Sequence, residues 1–96
     1  MKRSNTQNIK ELVDQLLDQM HIKEKLKEVE AIRVWKEMMG KTVARHLREV
    51  VIHKRVMFVR LTSSIVRAEL IMMRSGMVKA VNDRVGESVI DDIVIR

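Results

Sequence analysis

The side chains best suited to binding chemistry are cations, and they are concentrated in the middle third of this 96-residue chain. Residues 31–60 carry eight Lys and Arg residues against two Glu, whereas residues 1–30 and residues 61–96 each balance basic and acidic groups. The eight are Arg33, Lys36, Lys41, Arg45, Arg48, Lys54, Arg55 and Arg60. A segregated positive surface is typical of proteins that bind nucleic-acid phosphates through counterion release. A solvated face that only keeps the protein soluble is the alternative.

Catalytic and metal-binding patterns are not present in the sequence. The chain has no cysteine, which excludes a disulfide framework, a thiolate nucleophile and a Cys-ligated zinc. The three histidines, His21, His46 and His53, lack any recognised metal-ligand spacing. Gly40-Lys41-Thr42 ends like a phosphate-binding loop, but the glycine required five residues earlier is missing. We therefore expect no enzyme activity, no cofactor and no metal.

The elements that position the basic groups begin with helices. A one-sided apolar stripe predicts a helix over about residues 6–20. Its members are Ile9, Leu12, Val13, Leu16, Leu17 and Met20. A second helical stripe follows and ends at Gly40, a residue suited to the left-handed end of a helix. Its members are Ile22, Leu26, Val29, Ile32, Trp35 and Met39. Trp35 is expected in the core, and Thr42 can cap a short third helix that includes Leu47.

Residues 49–61 change to the alternating pattern of a β-hairpin. A two-residue turn at Lys54–Arg55 places Glu49 opposite Arg60, an opposite-charge pair that supports this register; a longer loop is the alternative, since the turn lacks Gly and Asn. One face of the hairpin is then wholly apolar: Val50, Ile52, Met57, Val59 and Leu61. The other face carries Glu49, Val51, His53, Val56, Phe58 and Arg60. A base can stack on the ring of Phe58 there, although the chain has only one other aromatic residue.

The remaining residues predict one long helix and a last strand. Thr62-Ser63-Ser64 offers a helix cap, and apolar steps of three and four residues continue to Gly86, with a weak point at Ser75–Gly76. Residues 89–95 predict a strand, interrupted by Asp91–Asp92. Solvated charges of this kind suit an edge strand, because they guard it against aggregation.

The predicted order is α-α-α-β-β-α-β, and it describes a single α+β domain over residues 1–96 with residues 1–7 as a flexible N-terminus. A small three-stranded mixed sheet has its helices packed on one face. No apolar run exceeds four residues, whereas a membrane span requires about 20. We therefore expect a soluble, cytoplasmic protein with no membrane partner.

Several pieces of the sequence, taken in order and spacing, resemble the DciA family over about residues 8–96. They are Trp35-x4-Gly40, Val59-x-Leu61-Thr62-Ser63-Ser64, Arg67-x-Glu69-Leu70, Val81-Asn82-x3-Gly86 and the closing segment from Val89 to Arg96. The resemblance implies a KH-like domain that helps to load the DnaB-type replicative helicase onto DNA at replication initiation. It implies binding to single- or double-stranded nucleic acid and to the helicase, without ATP hydrolysis.

Two departures from the family pattern qualify what the resemblance implies. The Gly-x-x-Gly clamp typical of KH domains is absent, so that loop is not expected to grip a nucleic-acid backbone. Longer members carry a flexible extension outside the domain, and none is expected here, so the domain itself or another partner must supply any helicase contact made by that extension. We expect the eight basic residues and Phe58 to form the nucleic-acid site. A KH-like RNA-binding module, ribosome-associated or not, and a protein-interaction domain without nucleic-acid binding stay open as alternatives.

Overall fold

The computed structural model describes residues 5–96, with side chains described from residue 8 onward. In chain order the elements are α1 (Asn5–Ala44), β1 (Leu47–His53), β2 (Val56–Leu61), α2 (Ser64–Met72), α3 (Arg74–Val85) and β3 (Asp92–Ile95). Of the N-terminus predicted to be flexible, residues 1–4 lie outside the described residues and residues 5–7 belong to helix α1. The predicted α+β class with a three-stranded mixed sheet is confirmed.

The sheet has the order β1-β2-β3, with β1 antiparallel and β3 parallel to the central strand. The hairpin has the predicted register, in which Glu49 pairs with Arg60 and His53 with Val56. The two turn residues, Lys54 and Arg55, have φ angles of 49° and 67°. Two successive positive φ angles are the geometry of a type I′ turn, which matches the twist of the flanking strands. The two-residue turn therefore forms even though neither residue is the Gly or Asn that it prefers.

The core lies between the sheet and the helices that cover one of its faces. The alternation of β2 buries Met57, Val59 and Leu61 on that face, and they join a cluster with buried residues of α1, α3 and β3. Trp35 of α1 is fully buried in this cluster, as predicted. Among the residues that the structure describes, no acceptor bonds its indole Nε1–H.

Helix α1 differs from the prediction of separate N-terminal helices. It runs without a break through residues 20–22, and its one non-helical residue is Gly40, with φ 76° and ψ −169°. The first half of the predicted second stripe is wrong, since Ile22, Leu26 and Val29 are 59–64% exposed. Its second half is confirmed, because Trp35 is buried and Ile32 and Met39 pack against the core. The core also buries Ala31 and Val34, which the predicted stripe did not include. Beyond Gly40 the helix continues only to Ala44, so Leu47 begins strand β1 rather than ending a third helix.

The long helix predicted after the hairpin is divided in two. Its N-terminal cap is confirmed, because the Ser63 hydroxyl accepts a hydrogen bond of 3.2 Å from the Val66 N–H. Its end at Gly86 is also confirmed, with a left-handed φ of 96°. Between them, Met73 leaves the helical conformation and separates α2 from α3. The break thus precedes the weak point expected at Ser75–Gly76.

The last strand is shorter than predicted, although it lies at the predicted sheet edge. Val89 and Ile90 are buried but precede β3, and Asn82 of α3 holds their backbone. Its Oδ1 accepts hydrogen bonds from the Val89 N–H (2.9 Å) and the Ile90 N–H (3.1 Å), and its Nδ2 donates to the Ile90 carbonyl (2.8 Å). The Asn82 side chain therefore supplies hydrogen bonds that a neighbouring strand would otherwise make to the backbone of Val89 and Ile90.

Candidate nucleic-acid interface

The structure distributes the eight basic residues predicted to bind nucleic acid over three places: helix α1, the hairpin turn, and the corner where α1 enters the sheet. Phe58, the ninth predicted residue, lies in strand β2 between the last two places. The hairpin turn and the corner are separated along the direction of the strands. Strand β1 has seven residues, which corresponds to about 20 Å at the rise of an extended chain. The turn and the corner therefore lie at opposite ends of the sheet, and a single compact site cannot include both.

At the hairpin end, the guanidinium of Arg55 is occupied by the residues that lead into β3. Its Nε and Nη2 donate to the two carboxylate oxygens of Asp91, both at 3.0 Å, and two further bonds reach the hydroxyl (2.7 Å) and the carbonyl (3.1 Å) of Ser88. The Asp91 N–H in turn donates to the Arg55 carbonyl at 2.7 Å. Asp91, expected to be solvated, is thus paired instead. Lys54, the other turn residue, is exposed.

This pairing shifts the pKa values of both groups. The hydrogen bonds from Arg55 hold the pKa of the Asp91 carboxyl below its ordinary value. The same bonds raise the pKa of the Arg55 guanidinium. Because both charges are satisfied by each other and by Ser88, Arg55 fixes the hairpin against the start of β3. Its fork geometry, which suits phosphate as well as carboxylate, is already used within the fold.

Helix α1 holds two more of the predicted residues, and they differ in their surroundings. Arg33 donates from Nη1 to Glu37 Oε2 at 2.6 Å and has a second carboxylate, Glu30, at 3.9 Å. Glu37 also receives Arg84 of α3 at 3.4 Å. Lys36 is exposed, and within the described part of the chain no carboxylate lies within 4.0 Å of its Nζ. Arg33 therefore belongs to a charge network, whereas Lys36 is an isolated surface cation.

The remaining cations meet where α1 enters the sheet, and we call them the basic corner: Lys41, Arg45, Arg48 and Arg60. The backbone brings the end of α1 beside the end of β2, because the Thr62 N–H donates to the His46 carbonyl at 2.8 Å. The Arg45 N–H donates to the Lys41 carbonyl at 3.1 Å, which places these two residues one helical turn apart. Arg48 is the extra residue of an irregularity in β1, because Leu47 pairs with Leu61 whereas Glu49 pairs with Arg60. A bulge of this kind twists the strand locally.

All four residues of the basic corner are exposed. Among residues 8–96, whose side chains the structure describes, no Asp or Glu oxygen lies within 4.0 Å of any of the four. Glu49 is the Cα partner of Arg60 across the strands, yet the two do not form such a pair. The corner therefore presents positive charge that a polyanion can neutralise with the release of counterions.

Sequence reasoning missed two arginines that lie beside the basic corner. Arg67 of α2 donates from Nη1 to the Leu61 carbonyl at 3.0 Å, at the end of β2. Arg96 exchanges backbone hydrogen bonds with Val59 and Leu61, both at 2.9 Å. Both arginines belonged to the segments that carry the family resemblance, which was the available signal for them. The position of Arg96 depends on the parallel pairing of β3, and charge counting along the chain does not indicate that pairing.

Phe58, the aromatic candidate, is half-buried on the sheet face opposite the core. The guanidinium carbon of Arg96 lies over its ring, 5.1 Å from the centroid, in a cation–π contact. A base that stacked on this side of the ring would have to displace Arg96. With Trp35 buried, the two aromatic residues of the chain do not form the kind of stacking platform that single-stranded binding proteins use.

Other kinds of site are not supported by the residues described. In that part of the chain, no three His, Asp or Glu residues lie close enough to hold a metal ion. His46 contacts the Thr62 hydroxyl through Nδ1 at 3.4 Å, while His21 and His53 are exposed. None of the helices described has both the length and the apolarity that crossing a bilayer requires.

Comparison with known proteins gives one match. The family model described as Dna[CI] antecedent, DciA, matches residues 8–95, nearly the whole chain. The match includes all three strands, helices α2 and α3 and the basic corner. No match was found among curated proteins or among solved structures.

Proposed function

Because the chain belongs to the DciA family, a family of helicase-loading adaptors, we propose that it is a non-enzymatic adaptor that binds DNA through the basic corner. The partner it assists is the DnaB-type replicative helicase, at replication initiation in the cytoplasm. The family membership supports the helicase-loading part of this proposal. The DNA-binding part depends on the charges of the corner.

The observation that carries the DNA-binding part is the contrast between paired and unpaired cations. Arg33 and Arg55 are held by carboxylates, whereas the basic corner lacks such partners among the described side chains. A cation that is already paired gains little from a phosphate, because it must first break its own ion pair. An unpaired, solvated cation exchanges only counterions, and that exchange drives phosphate binding.

The chemistry of the corner favours the nucleic-acid backbone over the bases. Lys and Arg contacts to phosphate position a protein without reading sequence, and the chain has few aromatic groups for stacking. We therefore expect binding with little sequence preference, in which duplex DNA, with its higher charge density, binds at least as well as single strands. The RNA-binding alternative depends on stacking against Phe58, whose ring already carries Arg96.

The test compares two variants that lose the same charge at different places. The corner variant is Lys41→Gln/Arg45→Gln/Arg48→Gln. The control variant, Lys25→Gln/Arg33→Gln/Lys79→Gln, removes three cations that already contact carboxylates of Glu28, Glu37 and Asp83. Binding to labelled duplex DNA, single-stranded DNA and RNA is measured by fluorescence anisotropy at fixed salt. Circular dichroism confirms that each variant is folded.

The corner variant should lose affinity for DNA on the order of a hundredfold at physiological salt, as expected for three phosphate contacts. The control variant should bind within about threefold of the unmodified protein, since its cations are not part of the corner. Equal losses in the two variants would show that net charge alone drives binding. Preference for single-stranded RNA, lost in Phe58→Ala, would favour the RNA-binding alternative.

The helicase part of the proposal needs its own measurement. A purified DnaB-type helicase should co-elute with the chain in size-exclusion chromatography after nuclease treatment, and the corner variant should still co-elute. Co-elution that disappears with nuclease would mean that DNA bridges the two proteins. Failure of a folded chain to bind the helicase under any salt condition would reject the adaptor function while leaving DNA binding intact.

A further inference from the structure

The N-terminal half of helix α1 exposes a row of large aliphatic side chains. We call residues 8–26 of α1 the arm. Every residue from 9 to 26 is exposed. The six aliphatic residues that form one face, the arm stripe, are Ile9, Leu12, Val13, Leu16, Leu17 and Met20, each 49–62% exposed. A contiguous apolar surface of this kind marks an interaction site far more often than single exposed side chains do.

The arm stripe lies on the same face of α1 that packs on the core further along the helix. Eighteen residues make five turns of an α-helix, so residues eighteen apart lie directly above one another. The pairs related in this way are Val13 and Ala31, Leu16 and Val34, Leu17 and Trp35, and Met20 and Met38. The second member of each pair is buried or packs against the core. The stripe is therefore the core-facing side of α1, continued beyond the sheet that would cover it.

We propose that a second copy of this chain covers the arm stripe, with the two arms packed antiparallel. In this arrangement Ile9 faces Met20 of the other arm and Val13 faces Leu16, so every stripe position meets an aliphatic partner. A two-fold interface of this kind is self-complementary, as closed dimers require. The two arms together bury on the order of 1,000 Å², near the lower limit for a stable interface. We therefore expect a reversible dimer with micromolar affinity.

The position of the sheet selects the antiparallel arrangement. Residues 31–38 of α1 carry the sheet and the other helices on the same side as the arm stripe. If two arms packed parallel, both sheets would have to occupy the same space between the helices. In the antiparallel arrangement the sheets lie at opposite ends, each beyond the start of the other arm.

The charges of the arm also permit contact with an identical surface. The arm stripe contains no ionisable group, and Gln15 and Gln19 border one side of it. The acidic residues Glu11, Asp14 and Asp18 lie toward the opposite side of the helix, since each is displaced by more than a quarter turn from the stripe centre. Over residues 9–20, two copies can therefore approach along the stripe without bringing like charges together.

The first test is sedimentation velocity of the full chain over a range of concentrations. The unmodified protein should shift from monomer to dimer in the micromolar range. Leu16→Glu, which places two carboxylates at the centre of the interface, should be monomeric throughout. The matched control is Ile22→Glu: Ile22 is as exposed as Leu16, 59% against 56%, but it lies on the other side of the arm and its substitution should leave the dimer intact.

The second test fixes the orientation and does not depend on whether a charge unfolds the arm. The chain has no cysteine, so single cysteines can be introduced cleanly. A mixture of Ile9→Cys and Met20→Cys chains should form a disulfide-linked heterodimer under mild oxidation. Neither variant alone should cross-link efficiently, because the same position on the two antiparallel arms is separated by about 16 Å.

The remaining outcomes overturn the proposal. A chain that stays monomeric at the highest soluble concentration, including one whose arm binds the helicase instead, would show that the occupant is not a second copy. Cross-linking of Ile9→Cys to itself would show parallel packing. DNA affinity per chain should persist in Leu16→Glu, since the basic corner lies at the other end of α1. Failure of the dimer is thus distinguishable from failure of the proposed function.

Discussion

The two ends of the sheet draw on the same basic segment of the chain and use its charge differently. At the hairpin end, Arg55 is held by Asp91 and Ser88 and joins two distant parts of the sequence. At the other end, the basic corner contributes no ion pair to the fold within the part of the chain that the structure describes. The hairpin end is therefore expected to determine stability, and the corner to determine binding.

This difference explains why a count of basic residues overestimates the number of cations that are available to bind a ligand. The left-handed turn at Lys54–Arg55 is unfavourable for these residue types, and the bonds from Arg55 to Asp91 and Ser88 compensate for it. The cation is needed where the backbone is strained. At the corner no such strain requires pairing, so the charges stay available to a ligand.

The largest expected effect on stability lies at the hairpin end, in the segment held by Asn82. Asn82→Ala removes three hydrogen bonds and leaves polar groups of the buried residues Val89 and Ile90 without their partners. Denaturant unfolding should show a loss of about 3 kcal/mol. Asn82→Asp, which keeps the acceptor oxygen, should lose less. A corner substitution such as Arg48→Ala should change stability by less than about 0.5 kcal/mol.

If Arg48→Ala destabilised the protein as much as Asn82→Ala, the division between a structural end and a binding end would be wrong. The comparison requires that the unfolding transition be two-state for both variants, which coincident fluorescence and circular dichroism transitions establish. Trp35 in the core serves as the fluorescence probe.

A smaller effect of opposite sign is expected at the turn. Asn accepts the left-handed conformation more readily than Lys, so Lys54→Asn should raise the free energy of unfolding by about 0.5 kcal/mol. The same substitution removes a cation at the hairpin end, away from the corner. Duplex DNA binding should therefore change little. A marked loss of DNA affinity in this stabilised variant would extend the interface to the hairpin and blur the distinction between the two ends.

The smallest effect is the pH dependence of the Arg55–Asp91 pair. Arg55 lowers the pKa of Asp91 below its ordinary value of 3.8, so the folded state binds this proton less readily than the unfolded state. The pair therefore stabilises the fold above that value and loses its contribution as the pH falls through the lowered pKa. Asp91→Asn should melt at a lower temperature than the unmodified protein at pH 7.

The difference in melting temperature between the two proteins should shrink as the solution is acidified below the ordinary pKa of Asp91. Lys79→Gln, which breaks the exposed pair with Asp83 within one helix, is the control for a pair that does not join distant segments. A constant difference at all pH values would mean that Asp91 acts through its shape or neutral hydrogen bonds rather than its charge.

Local patterns predicted those parts of the fold that local forces decide. The alternation of apolar residues fixed the hairpin register, because a slip by one residue would turn the apolar face to solvent. The cap at Ser63 and the end at Gly86 follow from hydrogen-bonding and steric preferences of single residues. These three features needed no knowledge of the rest of the chain.

Features that depend on distant partners were not predictable in the same way. Arg55 and Asp91 are 36 positions apart, and only the parallel placement of β3 brings them together. In α1, two apolar stripes of different phase compete, and the sequence alone favoured Ile22, Leu26 and Val29 over the positions that the core selects. An apolar stripe in the sequence also does not indicate whether other elements of the fold cover it. In helix α1 the stripe is exposed along the arm and buried against the core further along.

The most direct test of the account is the salt dependence of DNA binding. Four phosphate contacts by the basic corner predict that the logarithm of the association constant falls with the logarithm of salt concentration with a slope of about −3.6. The corner variant Lys41→Gln/Arg45→Gln/Arg48→Gln should reduce the slope to about −1, whereas the control variant Lys25→Gln/Arg33→Gln/Lys79→Gln should leave it unchanged. A slope that is the same in the corner variant as in the unmodified protein would contradict the assignment of the interface to this corner.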